Sequence, residues 1–539
     1  MLDILKRTFQ RRQLFKGGGL LGLGALVPPA PAPAAPTAGL QLGKDIYSSI
    51  GIRPFINCRG TLTVIGGSKE LDEVRAAKDI ANQQFVALDE LMEAVGKRLA
   101  ELTGAEWGMV SSGCAAAMSH ATAACVAGGN PDLHVRIPNL AGFAKDEVII
   151  PNHSRNVYDA AIRAVGVKII EVDSTAALES AIGPKTAMIY MYATPRMEQG
   201  PPSFDEVVKI ANARGVPTFI DAAPEILTTP CVYLQRGATL VGYSGGKVIR
   251  GPQSAGMLLG RKDLVKAAWV HSAPHHGYAR AMKVGREEMV GMLMAVEMWV
   301  KRNHEAEWKA YLDRLDHIAT RVKKVDGIST SVRQPEGRAN KSPSLSIRWD
   351  SKKLGITGQE VAQILDSTDP RILLNGGGGF GGGGRRGGGN EPGDTGVSIT
   401  AFMMSPGDEK VVADRLHEIL AAKHTLKPAE HVRPPVTNLS GRWDVEIQYA
   451  ASKSVHTIHV VQKENKLEGA HQGDFQARDL NGMINGDSVQ FGSFVGESHG
   501  DSLNYRFTGT VTGETMSGTL NMGEYLGATW TAKRRNYGA

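Results

Sequence analysis

The chain has 539 residues, 42% hydrophobic and 22% charged, with a formal net charge of +6. This is a globular composition, long enough for about three folded units. No basic block is long enough to track a nucleic-acid backbone: Arg385-Arg386 and Lys533-Arg534-Arg535 are too short, so no nucleic-acid partner is expected.

At the start, Arg11-Arg12 lies in Gln10–Lys16, followed by an apolar, Gly-rich stretch 17–27 and an Ala/Pro-rich stretch 28–38. That is the n-, h- and c-region order of a secretory leader of the twin-arginine type. A disordered basic tail is the alternative, and three regions in the right order weigh against it. The apolar stretch falls short of the roughly 20 residues a bilayer span takes. Residues 1–38 are therefore assigned to a leader and the protein to the periplasm, or to export by that route. Lys6, Arg7, Arg11, Arg12 and Lys16 against Asp3 give this segment +4, leaving +2 of the chain's +6 to the remainder.

Residues 44–290 alternate strand and helix signals. Trp107 opens a strand that runs into Ser111-Ser112-Gly113 and then an Ala-rich helix to about Val126. A helix N-terminus offers free N–H groups and a positive dipole end, so Ser111, Ser112 and Gly113 form a candidate phosphate turn. Cys114 beside it reads as a small buried thiol. The other cysteines, Cys58, Cys125 and Cys231, also read as free thiols. None shows metal-ligand spacing, and no metal is expected.

Further strands are expected at Val148–Pro151, Lys168–Val172, Ala187–Tyr192, Thr218–Asp221, Thr239–Tyr243 and Ala255–Leu259. Short apolar runs alternating with helices predict an α/β fold with a mainly parallel sheet covered on both faces. Ligands of such sheets sit at the carboxyl ends of strands, where Asp221 and the Ser111 turn fall. A carboxylate there suits the ring nitrogen of pyridoxal phosphate (PLP), although a strand-end Asp is also a common helix cap. Lys247 follows a buried strand and a Ser244-Gly245-Gly246 turn. An amine so placed is a candidate Schiff-base former, with Ser244 near a phosphate; a surface lysine on a hairpin is the plainer alternative. A phosphate turn, a strand-end Asp and Ser-x-x-Lys in this order are more specific than any one of them.

From Gly291 to about Lys324 the apolar spacing is helical. It leads into a small α+β subdomain over 291–424, with strands near Ser344–Trp349 and Val397–Thr400 and a last helix Asp408–Ala422. Within it, 376–389 holds eleven glycines in fourteen residues. It lacks a strand-turn-helix setting and reads as a flexible insertion; a lid whose arginines reach an anionic substrate is the alternative. Residues 425–437 read as a linker. Over 438–535, alternating runs at Gly441–Ile447, His456–Val461, Ser488–Phe494, Leu503–Val511 and Met516–Met522 predict an antiparallel β-barrel or sandwich. His456 and His459 read as packing residues.

Residues from about Lys44 to Leu420 resemble the fold-type I PLP enzymes of the selenocysteine synthase-like group, which includes L-seryl-tRNA(Sec) selenium transferases and D-glucosaminate-6-phosphate ammonia-lyases. The matching stretches are Ile56–Thr61, Leu102–Glu106, Arg155–Asp159, Asp221–Ala223, Ser244–Lys247 with Arg250–Gln253, and Met282–Glu288. They look closer to the ammonia-lyase branch. The resemblance implies a seven-stranded-type sheet and a homodimer or higher homo-oligomer. Lys247 would be the Schiff-base lysine and Asp221 the partner of the ring nitrogen. Ser111, Ser112, Gly113 and Ser244 would surround the phosphate. His153 is a further cofactor-contact candidate, although relatives show His-Arg-Asn where Ser154 here separates it from Arg155. The β module looks like a lipocalin-like addition.

The leading expectation is a PLP-dependent lyase acting on a small amino acid or amino sugar acid. Lys247 takes the α-proton, and β-elimination yields a 2-oxo acid and ammonia. Arg250, Arg280 and Lys283 are candidates for the substrate's carboxylate or phosphate; surface salt bridges are their plainer reading. A seryl-tRNA selenium transferase or other PLP transferase is the alternative, disfavoured by the leader and the missing basic surface. A non-catalytic binding protein is the third, disfavoured by the intact Asp221 and Lys247.

Overall fold

In the computed structural model, residues 39–44, 46–376, 393–426, 431–494 and 503–535 are described. The leader, all but Gly376 of the glycine-rich stretch, and 427–430 of the linker lie outside the described residues. The chain divides into two compact units that change over at residues 426 and 427. Among the described residues no helix is long and apolar enough to cross a membrane.

The first unit is built on a seven-stranded sheet. Its strands are β1 (Trp107–Ser111), β2 (Glu147–Pro151), β3 (Lys168–Val172), β4 (Thr186–Tyr192), β5 (Thr218–Asp221), β6 (Leu240–Ser244) and β7 (Gly256–Gly260), in the spatial order β1-β7-β6-β5-β4-β2-β3. All pairings are parallel except those of β7, which runs antiparallel to β1 and β6. Val148–Ile150 and Ala187–Met191 are buried without alternation, as strands covered on both faces must be.

Helix α1 (Gly113–Ala127) shows why small residues were needed. Nearly all its residues are buried, and its alanines let it pack tightly on the sheet. A Cβ on Gly256 would lie 2.5 Å from Gly113 C and 2.7 Å from Cys114 N. Glycine in β7 therefore lets the N-terminus of α1 reach the sheet. Register then gathers chemistry at one edge: Tyr192, Asp221 and Gly242 stand in one row, and Ser111, Gly256 and Ser244 in another.

A second core carries the small subdomain, where helices His304–Val322 and Asp408–Ala421 accompany a four-stranded antiparallel sheet. Its strands are β8 (Ser329–Arg333), β9 (Ser344–Asp350), β10 (Asn375–Gly376) and β11 (Asp394–Thr400), in the order β10-β11-β9-β8. Ile56–Asn57 pairs in parallel with Ile372–Leu373, and Cys58 is buried in this same core. The segment after residue 44 thus contributes to the small subdomain before the chain enters the large sheet.

The second unit is a closed barrel of eight antiparallel strands, each beside its chain neighbour, with Gly441–Gln448 pairing Ala528–Arg534 to close it. It is a barrel and not a sandwich. Trp443, Ile458, Phe491, Phe507 and Trp530 fill its interior. Lys466–Gln472 and Ala477–Asn485 escaped the sequence pattern because Gly469, His471, Arg478 and Gly482 share their inward positions with only Leu467, Leu480 and Ile484, and the closing strand Ala528–Arg534 was missed as well. His456 and His459 part company: His456 is buried with Nδ1 2.8 Å from His471 Nε2, and His459 is exposed.

Candidate functional site

A cavity of about 630 Å³ opens at the carboxyl ends of the large sheet and reaches the small subdomain. Asp221, Lys247, Ser244 and the first turn of α1 (Gly113, Cys114, Ala115) line one side; Arg59, Arg333, Asn375 and Thr400 line the other.

Asp221 ends β5 and is 1% exposed. Its Oδ1 accepts the Ala223 N–H at 3.0 Å and the Cys114 thiol at 3.4 Å; its Oδ2 accepts the Tyr190 hydroxyl at 3.0 Å. Burial raises the Asp221 pKa above the usual carboxylate range, opposed by these donors and by the positive charge of Lys247. Burial also pushes the Cys114 thiol and the Tyr190 phenol well up, so both stay protonated as donors. The helix-cap reading of Asp221 gives way to this buried, triply bonded role.

Lys247 is half-buried in the turn after β6 and faces the cavity. Its amine has no hydrogen-bond or ion-pair partner among the described residues. The turn itself is rigid: Gly245 N–H donates to Ala255 O at 2.8 Å, Gly251 N–H to Gly245 O at 2.9 Å, and Ser68 N–H to Gly246 O at 2.9 Å. A Cβ on Gly245 would sit 2.8 Å from Ala255 O, so glycine is required there. A free amine on a fixed turn is the arrangement a covalent anchor needs.

Other predicted residues fall elsewhere. Ser111 Oγ donates to Gly113 O at 2.9 Å and is spent in shaping the turn. Neither Ser111 nor Ser112 lines the cavity, which is bordered by Gly113, Cys114 and Ala115 instead. No side chain caps α1, so its first N–H groups are left for a ligand. His153 engages Pro202 O at 3.0 Å and Ser154 Oγ at 3.1 Å with its two ring nitrogens, and lies off the cavity. Arg250 has φ +62° and donates to Lys69 O at 3.0 Å, which turns it away. Arg280 and Lys283 are exposed and line no part of this chain's cavity.

Sequence reasoning missed Arg59, Asn156, Tyr158 and Tyr190 as individuals, although three lie in stretches that carry the resemblance. Asn57 Oδ1 accepts the N–H groups of Arg59 and Gly60, an Asx turn that aims Arg59, whose Nε donates to Asn375 Oδ1 at 2.9 Å. Tyr158 sits on a turn held by the buried Arg155–Asp159 ion pair, Nε to Oδ2 2.6 Å. Tyr192 also lines the cavity, its phenol pushed up to about 12 by burial and then by Asp221.

No family model matches the chain. It is 32% identical over 327 residues to the D-glucosaminate-6-phosphate ammonia lyase of Salmonella typhimurium, covering 85% of that protein and 59% of this one. The chain belongs to the fold-type I PLP enzymes of the selenocysteine synthase-like group. A 5'-C-glycyluridine monooxygenase-decarboxylase from a Streptomyces species is also 32% identical, over 342 residues and 83% of its length. An L-seryl-tRNA(Sec) selenium transferase of Rhizobium meliloti is 30% identical over 259 residues, 53% of that protein and 42% of this chain. A solved structure of D-glucosaminate-6-phosphate ammonia-lyase superposes with a TM-score of 0.60 and 28% identity, covering 99% of that chain and 70% of this one. As a member of this group the chain is an enzyme. Its site fits PLP on its own geometry: a buried carboxylate for the ring nitrogen, an unpartnered amine, and an uncapped helix N-terminus for the phosphate.

Proposed function

We propose that this enzyme is a PLP-dependent lyase that eliminates ammonia from a small amino acid or amino sugar acid to give a 2-oxo acid. The observation that carries this is the unpartnered Lys247 amine in one cavity with the buried Asp221 carboxylate. PLP, when bound, supplies the electron sink for the charge left at the substrate's α-carbon. Lys247 is the anchor and then the base that takes the α-proton. Asp221 holds the ring nitrogen, while Gly113–Ala115 and Ser244 hold the phosphate. Arg59 and Arg333 bring positive charge to the opposite wall, suited to the acid groups of the substrate. Tyr192, protonated at neutral pH, is a proton donor for a leaving hydroxyl.

The purified protein is expected to be yellow and to release ammonia and a 2-oxo acid, in equal amounts, from a hydroxylated or phosphorylated amino acid. Oxygen uptake without ammonia release would place it instead with the oxidative relative. A protein that holds no PLP would defeat the reading.

The unit up to residue 426 is proposed to pair with a second copy. Val64 (85% exposed) and Phe85 (96% exposed) are apolar surface that pairing would cover. The barrel has a core of its own, so a chain ended at Lys427 should stay soluble and run at twice its mass. A monomeric or insoluble product would contradict this.

Export by the twin-arginine route is also proposed. That route carries folded proteins, which suits an enzyme loaded with PLP before export. Arg11→Lys with Arg12→Lys should leave the protein in the cytoplasm. Unchanged export would show that another signal is read.

A further inference from the structure

We infer that Tyr190 and Cys114 act as positioning residues that hold the proton on the cofactor's ring nitrogen, by donating to the two carboxylate oxygens of Asp221. The inference rests on the PLP reading above.

Asp221 is a shared partner. Its carboxylate would face the ring nitrogen, and a single proton between the two goes to the stronger base. Hydrogen bonds donated to a carboxylate weaken it as a base; burial strengthens it. Asp221 is deeply buried, which alone would draw the proton off the ring and leave the electron sink uncharged. Three donors oppose this: Ala223 N–H, the Tyr190 hydroxyl and the Cys114 thiol. The first is backbone; the other two are choices of this sequence.

The direction of the Tyr190 bond is fixed by its surroundings. Asn156 Oδ1 accepts the Tyr158 N–H at 2.8 Å, so its Nδ2 points the other way, to Ser154 O at 2.9 Å and Tyr190 OH at 3.0 Å. The tyrosine oxygen therefore accepts from Asn156, and its one hydrogen is left for Asp221 Oδ2. Cys114 is placed by the first turn of α1, and its Sγ has Asp221 Oδ1 as its hydrogen-bond partner. A Cβ on Gly242 would come within 2.9 Å of that sulfur, so the strand beneath makes room for the thiol. The same Asn156 caps the turn that carries Tyr158 into the cavity, which ties the aspartate's support to the substrate side.

The test is the ring-nitrogen NMR shift of ¹⁵N-labelled PLP on the full-length protein, in the parent, Tyr190→Phe, Cys114→Ala and the double variant. The parent should show a protonated ring nitrogen. Each single variant should move the signal toward neutral pyridine, Tyr190→Phe the further because a hydroxyl is the stronger donor. The double variant should move it furthest, with kcat down roughly tenfold or more and KM little changed. Cys114→Ser, which keeps a donor, should restore the parent shift. A signal that stays put in both single variants, with PLP bound, overturns the inference. A parent protein with no bound PLP overturns the PLP reading itself, and this inference with it.

Discussion

Lys247→Ala is expected to abolish the covalent attachment of PLP and almost all turnover. Borohydride reduction of the parent should fix a PLP-sized mass on the peptide containing Lys247; the variant should show none. The loss in rate has two sources. The anchor disappears, and with it the base at the α-carbon; general bases alone are worth about 10²–10⁴ in rate. The fold should survive. Lys247 makes no hydrogen bond or ion pair among the described residues, and the turn is held by backbone bonds at Gly245, Gly246 and Gly251. A change of about 1 kcal/mol or less in stability is expected. A reduced adduct on another lysine of the variant would remove Lys247 from the role, and the candidates would be cavity-distant amines such as Lys283.

The legibility of this site followed the kind of signal each residue leaves. Strands β2 and β4 to β7 were readable because both faces are buried and their sequences are largely apolar, and β3 because Ile169, Ile170 and Val172 form a short β-branched run. Asp221 stood out because it ends such a run, and Lys247 because a Ser-Gly-Gly turn delivers it from the next. The first turn of α1 does line the cavity, through Gly113, Cys114 and Ala115, but Ser111 and Ser112 do not. Ser111 points back into its own turn, and no residue identity reports which way a hydroxyl rotates. His153 came from the resemblance, and Arg250, Arg280 and Lys283 from residue type; none of the four lines this chain's cavity. Arg59 and Asn375, by contrast, come from segments more than 300 residues apart that meet only because Ile56–Asn57 pairs with Ile372–Leu373. Tyr190 was hidden inside an apolar strand, where a tyrosine looks like core until its hydroxyl is seen on Asp221. In the barrel, the two strands with glycine, histidine and arginine among their inward residues went unread, and so did the closing strand Ala528–Arg534, although Ala528, Trp530 and Ala532 face inward.

Asp221→Asn is expected to keep PLP bound, since Lys247 and the phosphate site are untouched, and to lose turnover by roughly a hundredfold or more, ~2.7 kcal/mol of barrier. An amide cannot take the negative charge that keeps the ring nitrogen protonated, so the electron sink weakens when the α-proton leaves. Collapse of the fold would be a competing cause, and linkage separates the two. The folded state raises the Asp221 pKa, chiefly through burial. A group raised on folding adds stability below its unfolded pKa, and that stability is lost as pH rises through the folded value. At neutral pH the ionised carboxylate therefore costs the cofactor-free protein stability, and the neutral amide removes that cost. The cofactor-free variant should melt at or above the parent's temperature at pH 7. The difference should shrink as pH falls and the parent's carboxylate gains its proton. Thermal melts of both proteins across that range, beside kcat with PLP bound, decide the matter. Undiminished kcat would take Asp221 out of the site. A cofactor-free variant that melts well below the parent at neutral pH would make the carboxylate a structural group whose removal loosens β5.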